Sequence, residues 1–342
     1  MLRLPKFQVA NPTTVEAAVA LLAEHGDRAM MIAGGTDLVP NMKHELFTPD
    51  VVVALGGIAE LRGLERAADG ALRIGAMTTL DDVATSPLVR DAAPALAQAT
   101  GLVAGPQLRR MGTLGGNVML DTRCQWYNQT YFWRNALGFC LKKDGTVCHV
   151  VAGGKKCVAA ASNDSAPALM TLGATLVFAS AAAPGGRREV PIEALWHPDG
   201  IWNKKVERDE LLVEIRVPAQ AAGHRGAYGK LRDRGSIDFP LLGVAARLDV
   251  DGDAVTDADV VAVALQARPH RVPGVADALR GVRVGTPEFE DAVRAVADDA
   301  KKRLRPLENV PGDADYRHRM VPVYVRRTLT AAAESAGPVH HV

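Results

Sequence analysis

The stretch from Arg109 to Cys157 constrains this chain more than any other. It opens on a glycine-rich turn, Met111-Gly112-Thr113-Leu114-Gly115-Gly116-Asn117, and runs into a segment holding all four cysteines: Cys124, Cys140, Cys148 and Cys157. A glycine turn lets backbone N–H groups approach a phosphate with no Cβ in the way. Four thiolates are the ligand count of a closed zinc site or of an iron–sulfur cluster. The cysteines are separated by fifteen, seven and eight residues with no Cys-x-x-Cys pair, so zinc-ribbon spacing is not met. Long, unequal intervals suit a loop wrapped around a larger object such as a cubane cluster. Six of the chain's 16 aromatic residues (Trp126, Tyr127, Tyr131, Phe132, Trp133 and Phe139) share the segment and would limit water there. The competing assignment is plain packing, with aromatics as core and cysteines as small buried hydrophobes. Four cysteines in one insertion-like segment, and none elsewhere, weigh against it. Lys142, Lys143, Lys155 and Lys156 read as a solvated rim.

Composition narrows the class. An apolar fraction of 48% over 342 residues provides for two or three units with real cores. A net charge of +1, from 40 basic and 39 acidic residues, creates no broad field for nucleic acid or anionic membrane, so neither is an expected partner. The opening Met1-Leu2-Arg3-Leu4-Pro5-Lys6 lacks the apolar core of a signal peptide, and no run approaches the ~18 apolar residues of a membrane span. The expectation is a cytoplasmic protein, whose reducing surroundings favour metal over disulfides.

In chain order, residues 13–26 read as a short amphipathic helix with a Thr13/Glu16 capping box and a Gly26 stop. The apolar run 29–33 reads as a buried strand emptying into Gly34-Gly35-Thr36-Asp37, a second turn suited to phosphate. Taken alone, such a turn more often serves chain geometry. Strands are expected at 51–55, 72–77, 174–180 and 211–217, and helix over 82–100, broken near Pro87 and Pro94. Ser162 or Asp164 is placed to cap a helix, and Asp164 has the alternative role of accepting a ribityl or ribose hydroxyl. Residues 226–231, 241–250 and 259–266 read as an antiparallel meander turning at Asp251-Gly252-Asp253, followed by helices at 275–279, 288–304 and 315–333. The two glycine turns could grip the two ends of a dinucleotide pyrophosphate. Neither has the Gly-x-Gly-x-x-Gly spacing of a Rossmann unit, which disfavours nicotinamide-type binding.

Set side by side, Ala33-Gly34-Gly35-Thr36-Asp37-Leu38, Gly112-Thr113-Leu114-Gly115-Gly116-Asn117, Ser162-Asn163-Asp164, Lys230-Leu231-Arg232-Asp233-Arg234 with Asp238, and Asp315-Tyr316-Arg317 resemble the flavoprotein subunits of the xanthine oxidase family of molybdenum hydroxylases. The cysteine-bearing insertion resembles that of one branch, the beta subunits of 4-hydroxybenzoyl-CoA reductases, in which four cysteines hold a [4Fe-4S] cluster. The resemblance implies an α+β chain: FAD between two N-terminal subdomains (1–56 and 57–221, the latter carrying the insertion 123–158), a C-terminal α+β domain with an antiparallel sheet (222–335), and a tail (336–342).

Carried across by position, it implies FAD contacts at Met31, Ile32, Ala33, Gly34, Gly35, Thr36, Asp37, Leu38, Ala104, Thr113, Gly116, Asn117, Asp164, Leu212 and Lys230, and cluster ligands at Cys124, Cys140, Cys148 and Cys157. The structural alternative for Lys230 is a surface strand lysine. The implied partners are a molybdenum-cofactor large subunit, a [2Fe-2S] small subunit and a ferredoxin donor, in a dimer of heterotrimers. Electrons would enter at the cluster, pass through FAD and leave through the small subunit toward the molybdenum centre, where 4-hydroxybenzoyl-CoA is reduced to benzoyl-CoA. Three alternatives stay open: an FAD subunit of another molybdenum hydroxylase, an FAD module whose cysteines bind structural zinc, and a non-catalytic assembly scaffold with an empty flavin fold.

Overall fold

Three sheets, each seeded by apolar runs, organise the computed structural model, which describes residues 2–340. The first is parallel. β1 (Gln8–Ala10), α1 (Val15–His25), β2 (Ala29–Ile32), α2 (Leu38–Lys43) and β3 (Val51–Ala54) follow one another, and β3 lies between β1 and β2. Val51, Val52 and Val53 are buried, as the central strand of a covered parallel sheet requires. α1 is capped by Thr14, whose hydroxyl accepts from Ala17 N, rather than by the expected Thr13. Burial of Val15 sets the first helical turn and leaves Thr14 extended at the cap.

β4 (Leu64–Arg66), β5 (Leu72–Gly75), β6 (Thr175–Ala179), β7 (Arg187–Pro191) and β8 (Leu211–Val217) form an antiparallel sheet in the order β4-β5-β8-β6-β7. Between β5 and β6 run α3 (Leu80–Thr85), α4 (Pro87–Ala92), α5 (Pro94–Gly101), α6 (Pro106–Arg109), α7 (Leu114–Val118), α8 (Tyr131–Ala136) and α9 (Ser165–Thr171). Pro87, Pro94 and Pro106 each stand at a first helical position, where a missing N–H costs nothing. One helix's worth of apolar sequence is thereby cut into short pieces that can turn around the site.

The expected meander is present as β9 (His224–Leu231), β10 (Leu242–Asp251) and β11 (Ala254–Val263). β11 begins at Ala254, earlier than residue 259, because the turn at Gly252 (φ 60) is tight enough for Asp251 and Ala254 to pair. β12 (His270–Arg271) extends this sheet, α10 (Val275–Leu279), α11 (Pro287–Arg303) and α12 (Ala314–Ala333) follow, and β13 (Val339–His340) adds in parallel beside β9. The expected tail 336–342 therefore contributes a strand, and its last two residues lie outside those described.

The main core crosses from the second sheet to the third: Leu72, Ile74, Leu169 and Leu176 pack in one cluster with Tyr228, Ala245 and Val261. Gly226 lets α5 come close, since a Cβ there would stand 3.2 Å from Ala95 Cβ. Arg317 on α12 is fully buried with no carboxylate in ion-pair contact among the described residues, and donates to the carbonyls of Leu241 (2.9 Å), Leu307 (2.8 Å) and Ala264. It ties the ends of three loops to one helix. Among the described residues no helix is long and apolar enough to cross a membrane.

Candidate functional site

The two glycine turns meet. A Cβ on Gly34 would stand 1.7 Å from the Met111 carbonyl oxygen, and one on Gly112 would stand 3.4 Å from Thr36 Oγ1, so the turns abut through bare backbone. Met31 and Ile32 end β2, Ala33 to Asp37 form the first turn with Gly35 left-handed (φ 70), and Leu38 is buried at the start of α2. Among the described residues, no protein acceptor takes the backbone N–H of Gly34, Gly35, Thr36 or Asp37. These are open donors in a half-exposed cradle, the arrangement a pyrophosphate fills.

In the second turn Thr113 caps α7 by accepting from Gly116 N (3.1 Å), and Gly116 itself is exposed. Asn117 Oδ1 accepts from both Ser165 N (3.0 Å) and Ser165 Oγ (2.6 Å), which fastens α7 to the start of α9. Ala104, between α5 and α6, is in a left-handed conformation (φ 44), its carbonyl accepting from Ile237 N at 3.1 Å; Ile237 is left-handed as well (φ 75). A β-branched residue there is strained, and strain of this kind collects at functional sites.

Asp164 sits at the N-cap position of α9 but makes no capping bond. Its carboxylate is spent elsewhere. Tyr228 Oη donates to Oδ1 (2.7 Å) and Lys230 Nζ donates to Oδ2 (2.9 Å), while the lysine also donates to the Leu102 carbonyl (3.0 Å). Lys230 is not the surface lysine of the structural alternative: its exposure is 0%, and Asp164's is 2%. Burial pushes the Asp164 carboxyl up and the Lys230 ammonium down, and each charge is the main counterweight for the other. Leu212 is buried in the main core at the register shift between β6 and β8, two hydrogen-bonded links from the second turn: Val213 O accepts from Ala76 N, and Ala76 O accepts from Gly115 N.

The four cysteines line one cavity, together with Trp126, Tyr127, Lys142 and His149. Burial pushes the Cys124 thiol up to about 12 and that of Cys157 up to about 11, and Cys140 lies close enough to add to both. Pulling the other way are backbone N–H groups aimed at sulfur: Trp126 and Tyr127 at Cys124, and Ala159 at Cys157 (3.4 Å). Val151 N likewise points at Cys148 Sγ at 3.5 Å. Such donors do little for a thiol and stabilise a thiolate, which is the ligand form. Sulfurs sharing one zinc stand roughly 3.8 Å apart, as 2.3 Å tetrahedral bonds require. Among the described residues no three His, Cys, Asp or Glu side chains close on a point in that way.

Sequence reading missed the side chains that hold the cavity. Lys142 is not part of a solvated rim: its Nζ donates to Asp121 Oδ1 (2.9 Å), Thr122 Oγ1 (2.7 Å) and the Gly200 carbonyl, and lies 4.9 Å from the Tyr127 ring. Lys155 and Lys156 are exposed. Arg134 is buried between the rings of Tyr131 and Phe139 and donates to the Glu45 carbonyl (3.0 Å), pinning the loop to the chain after α2. Arg123, at the root of the loop, pairs with Asp37 in the first glycine turn. Little in the local sequence marks these residues, because Glu45, Asp121, Gly200 and Asp37, which they reach, are distant in the chain.

Comparison with known proteins agrees with this geometry. Residues 5–220 match the FAD binding domain in molybdopterin dehydrogenase, and residues 226–332 match the CO dehydrogenase flavoprotein C-terminal domain. The carbon monoxide dehydrogenase medium chain of Hydrogenophaga pseudoflava is 32% identical over 328 residues, covering 96% of this chain and 97% of its own length. The nicotine 6-hydroxylase medium subunit of Paenarthrobacter nicotinovorans is 28% identical over 331 residues, covering 97% and 99%. A solved carbon monoxide dehydrogenase from Hydrogenophaga pseudoflava superposes with a TM-score of 0.78 at 30% identity, over 98% of this chain and 100% of that one.

Proposed function

The chain belongs to the FAD-binding medium subunits of the xanthine oxidase family of molybdenum hydroxylases, and from that premise we propose that it is the electron-entry subunit of a 4-hydroxybenzoyl-CoA reductase. One observation carries the finer reading: Cys124, Cys140, Cys148 and Cys157 line a single cavity, with backbone N–H groups aimed at the sulfurs of Cys124, Cys148 and Cys157. That donor set fits a [4Fe-4S] cluster. When bound, the cluster and FAD supply one-electron and combined one- and two-electron redox chemistry.

The protein's own part is to hold and shield. The open N–H groups of Gly34 to Asp37 would take the FAD pyrophosphate, and Thr113, Gly116 and Asn117 would flank it. Met31 to Ala33, Leu38, Ala104, Leu212 and the Asp164–Lys230 pair would shape the rest of the pocket. Trp126, its ring tilted against those of His149 (5.4 Å) and Trp133 (6.1 Å), would restrict water at the cysteines. Substrate chemistry would belong to a molybdenum-bearing large subunit, reached through a [2Fe-2S] small subunit, with a reduced ferredoxin as donor and the heterotrimer paired into a dimer.

Anaerobic purification tests the reading. About four iron and four sulfide with one FAD per chain, and ferredoxin-dependent reduction of 4-hydroxybenzoyl-CoA by the complex purified with its two partner subunits, are the expected results. One zinc and no iron ends the cluster assignment. Turnover of a different substrate by an iron-containing complex keeps the entry role and replaces the substrate.

A further inference from the structure

We propose that the cysteine loop is part of the FAD site through Arg123, whose guanidinium neutralises Asp37 and so makes the first glycine turn acceptable to a doubly charged pyrophosphate. The proposal rests on FAD lying in the glycine turns. The turn that offers the open N–H groups of Gly34 to Asp37 also carries a carboxylate, and a carboxylate beside phosphate is a repulsive neighbour. Asp37 makes no capping bond to α2 that would occupy it; it faces Arg123.

Arg123 is built to stay there. Its backbone is clamped at the root of the loop, with Arg123 N donating to Ala160 O (2.8 Å) and Ala160 N to Arg123 O (2.7 Å). The guanidinium lies 4.6 Å from the centre of the Phe239 ring, on the loop whose Ile237 is held by Ala104. Nε and Nη2 are both buried with no hydrogen-bond acceptor among the described residues, so the contact with Asp37 is an ion pair and not a formed hydrogen bond. A guanidinium set between an aromatic face and one carboxylate is oriented and keeps unused donors. Because Cys124 follows directly, the segment that places the first sulfur also places the charge that balances the flavin turn.

The test is a charge-swap set on the intact chain: Arg123→Gln, Asp37→Asn and the double variant, each stripped of flavin and titrated with FAD by fluorescence quenching. Arg123→Gln should raise the FAD dissociation constant by about tenfold or more, the scale of losing one charge-assisted pairing. Asp37→Asn should bind as tightly as wild type or tighter, and the double variant should recover most of the loss. Iron per chain should be unchanged in all three, since the backbone clamp does not use the side chain.

Unchanged affinity in Arg123→Gln overturns the proposal. So does a double variant as weak as Arg123→Gln, which would show that Arg123 does not act through Asp37. A wild-type chain that takes up no FAD sinks the assignment of the turns instead.

Discussion

The glycine turns and the cysteine loop touch at Arg123 and Asp37, yet they are made by opposite means. The turns are defined by what is absent: Gly34 and Gly112 carry no Cβ, two backbones close on each other, and N–H groups are left facing outward. The loop is defined by side chains, with Arg134, Lys142 and Asn128 reaching out of it or across it to fix where the sulfurs stand. The difference teaches where each site is fragile. A turn made of bare backbone fails when an atom is added, and a cavity made of side chains fails when one is removed.

Adding one methyl group to the turns should have the largest effect. Gly34→Ala would drive its Cβ into the Met111 carbonyl, which is backbone and cannot swing away, so a loss of about 4 kcal/mol or more and a chain without flavin are expected. A melting temperature and flavin content equal to wild type would break the contrast at its root. Gly116→Val is the gentler probe of the same turn. A Cβ there meets only Thr113 Oγ1 at 3.0 Å, so the fold should survive while FAD is lost; stoichiometric flavin in this variant removes the turn from the site.

Next is the buried Asp164–Lys230 pair. Asp164→Asn leaves the Lys230 ammonium without its counter-charge in the core, at a cost of roughly 3–5 kcal/mol, most of it restored by adding Lys230→Met. Additive losses in denaturant melts would mean that the two charges are not a unit.

For the loop, Cys140→Ser should leave about one FAD per chain and strip or damage the iron site, with only a small change in melting temperature. Loss of flavin along with iron would erase the distinction between the regions. The smallest effect concerns the seam between them. Lys204 donates to Leu120 O (2.8 Å) and Asn203 Oδ1 (2.7 Å), and burial lowers its pKa to about 8. The unfolded chain therefore binds this proton more tightly between pH 8 and about 10.5, and folding stability from this group rises across that window. The wild-type minus Lys204→Met difference in urea midpoint should climb over the same range and stay flat below it.

Legibility in the sequence follows the same division. Ala29-Met30-Met31-Ile32 running into Gly34-Gly35 announces a strand and a phosphate turn, since both depend on near neighbours, and the meander around Gly252 is readable for the same reason. The cap of α1 slips by one residue, from Thr13 to Thr14, because packing of Val15 decides where the first turn starts. Asp164 looks like a helix cap and turns out to be half of a buried ion pair, because Lys230 reaches it from a strand 66 residues later. Lys142 looks like a rim lysine and is tied down by Asp121 and Gly200.

Sequence by itself determined that this chain would build glycine turns fit for a phosphate and carry four sulfurs in one segment, because residue type and spacing dictate what a backbone can expose and what a loop can ligate. Only the tertiary structure decided that the two turns abut, that all four sulfurs face one cavity, and that Arg123 joins the two sites across Asp37. Those outcomes hang on contacts between distant segments, whose energies are settled when the sheets pack and the buried charges must find partners.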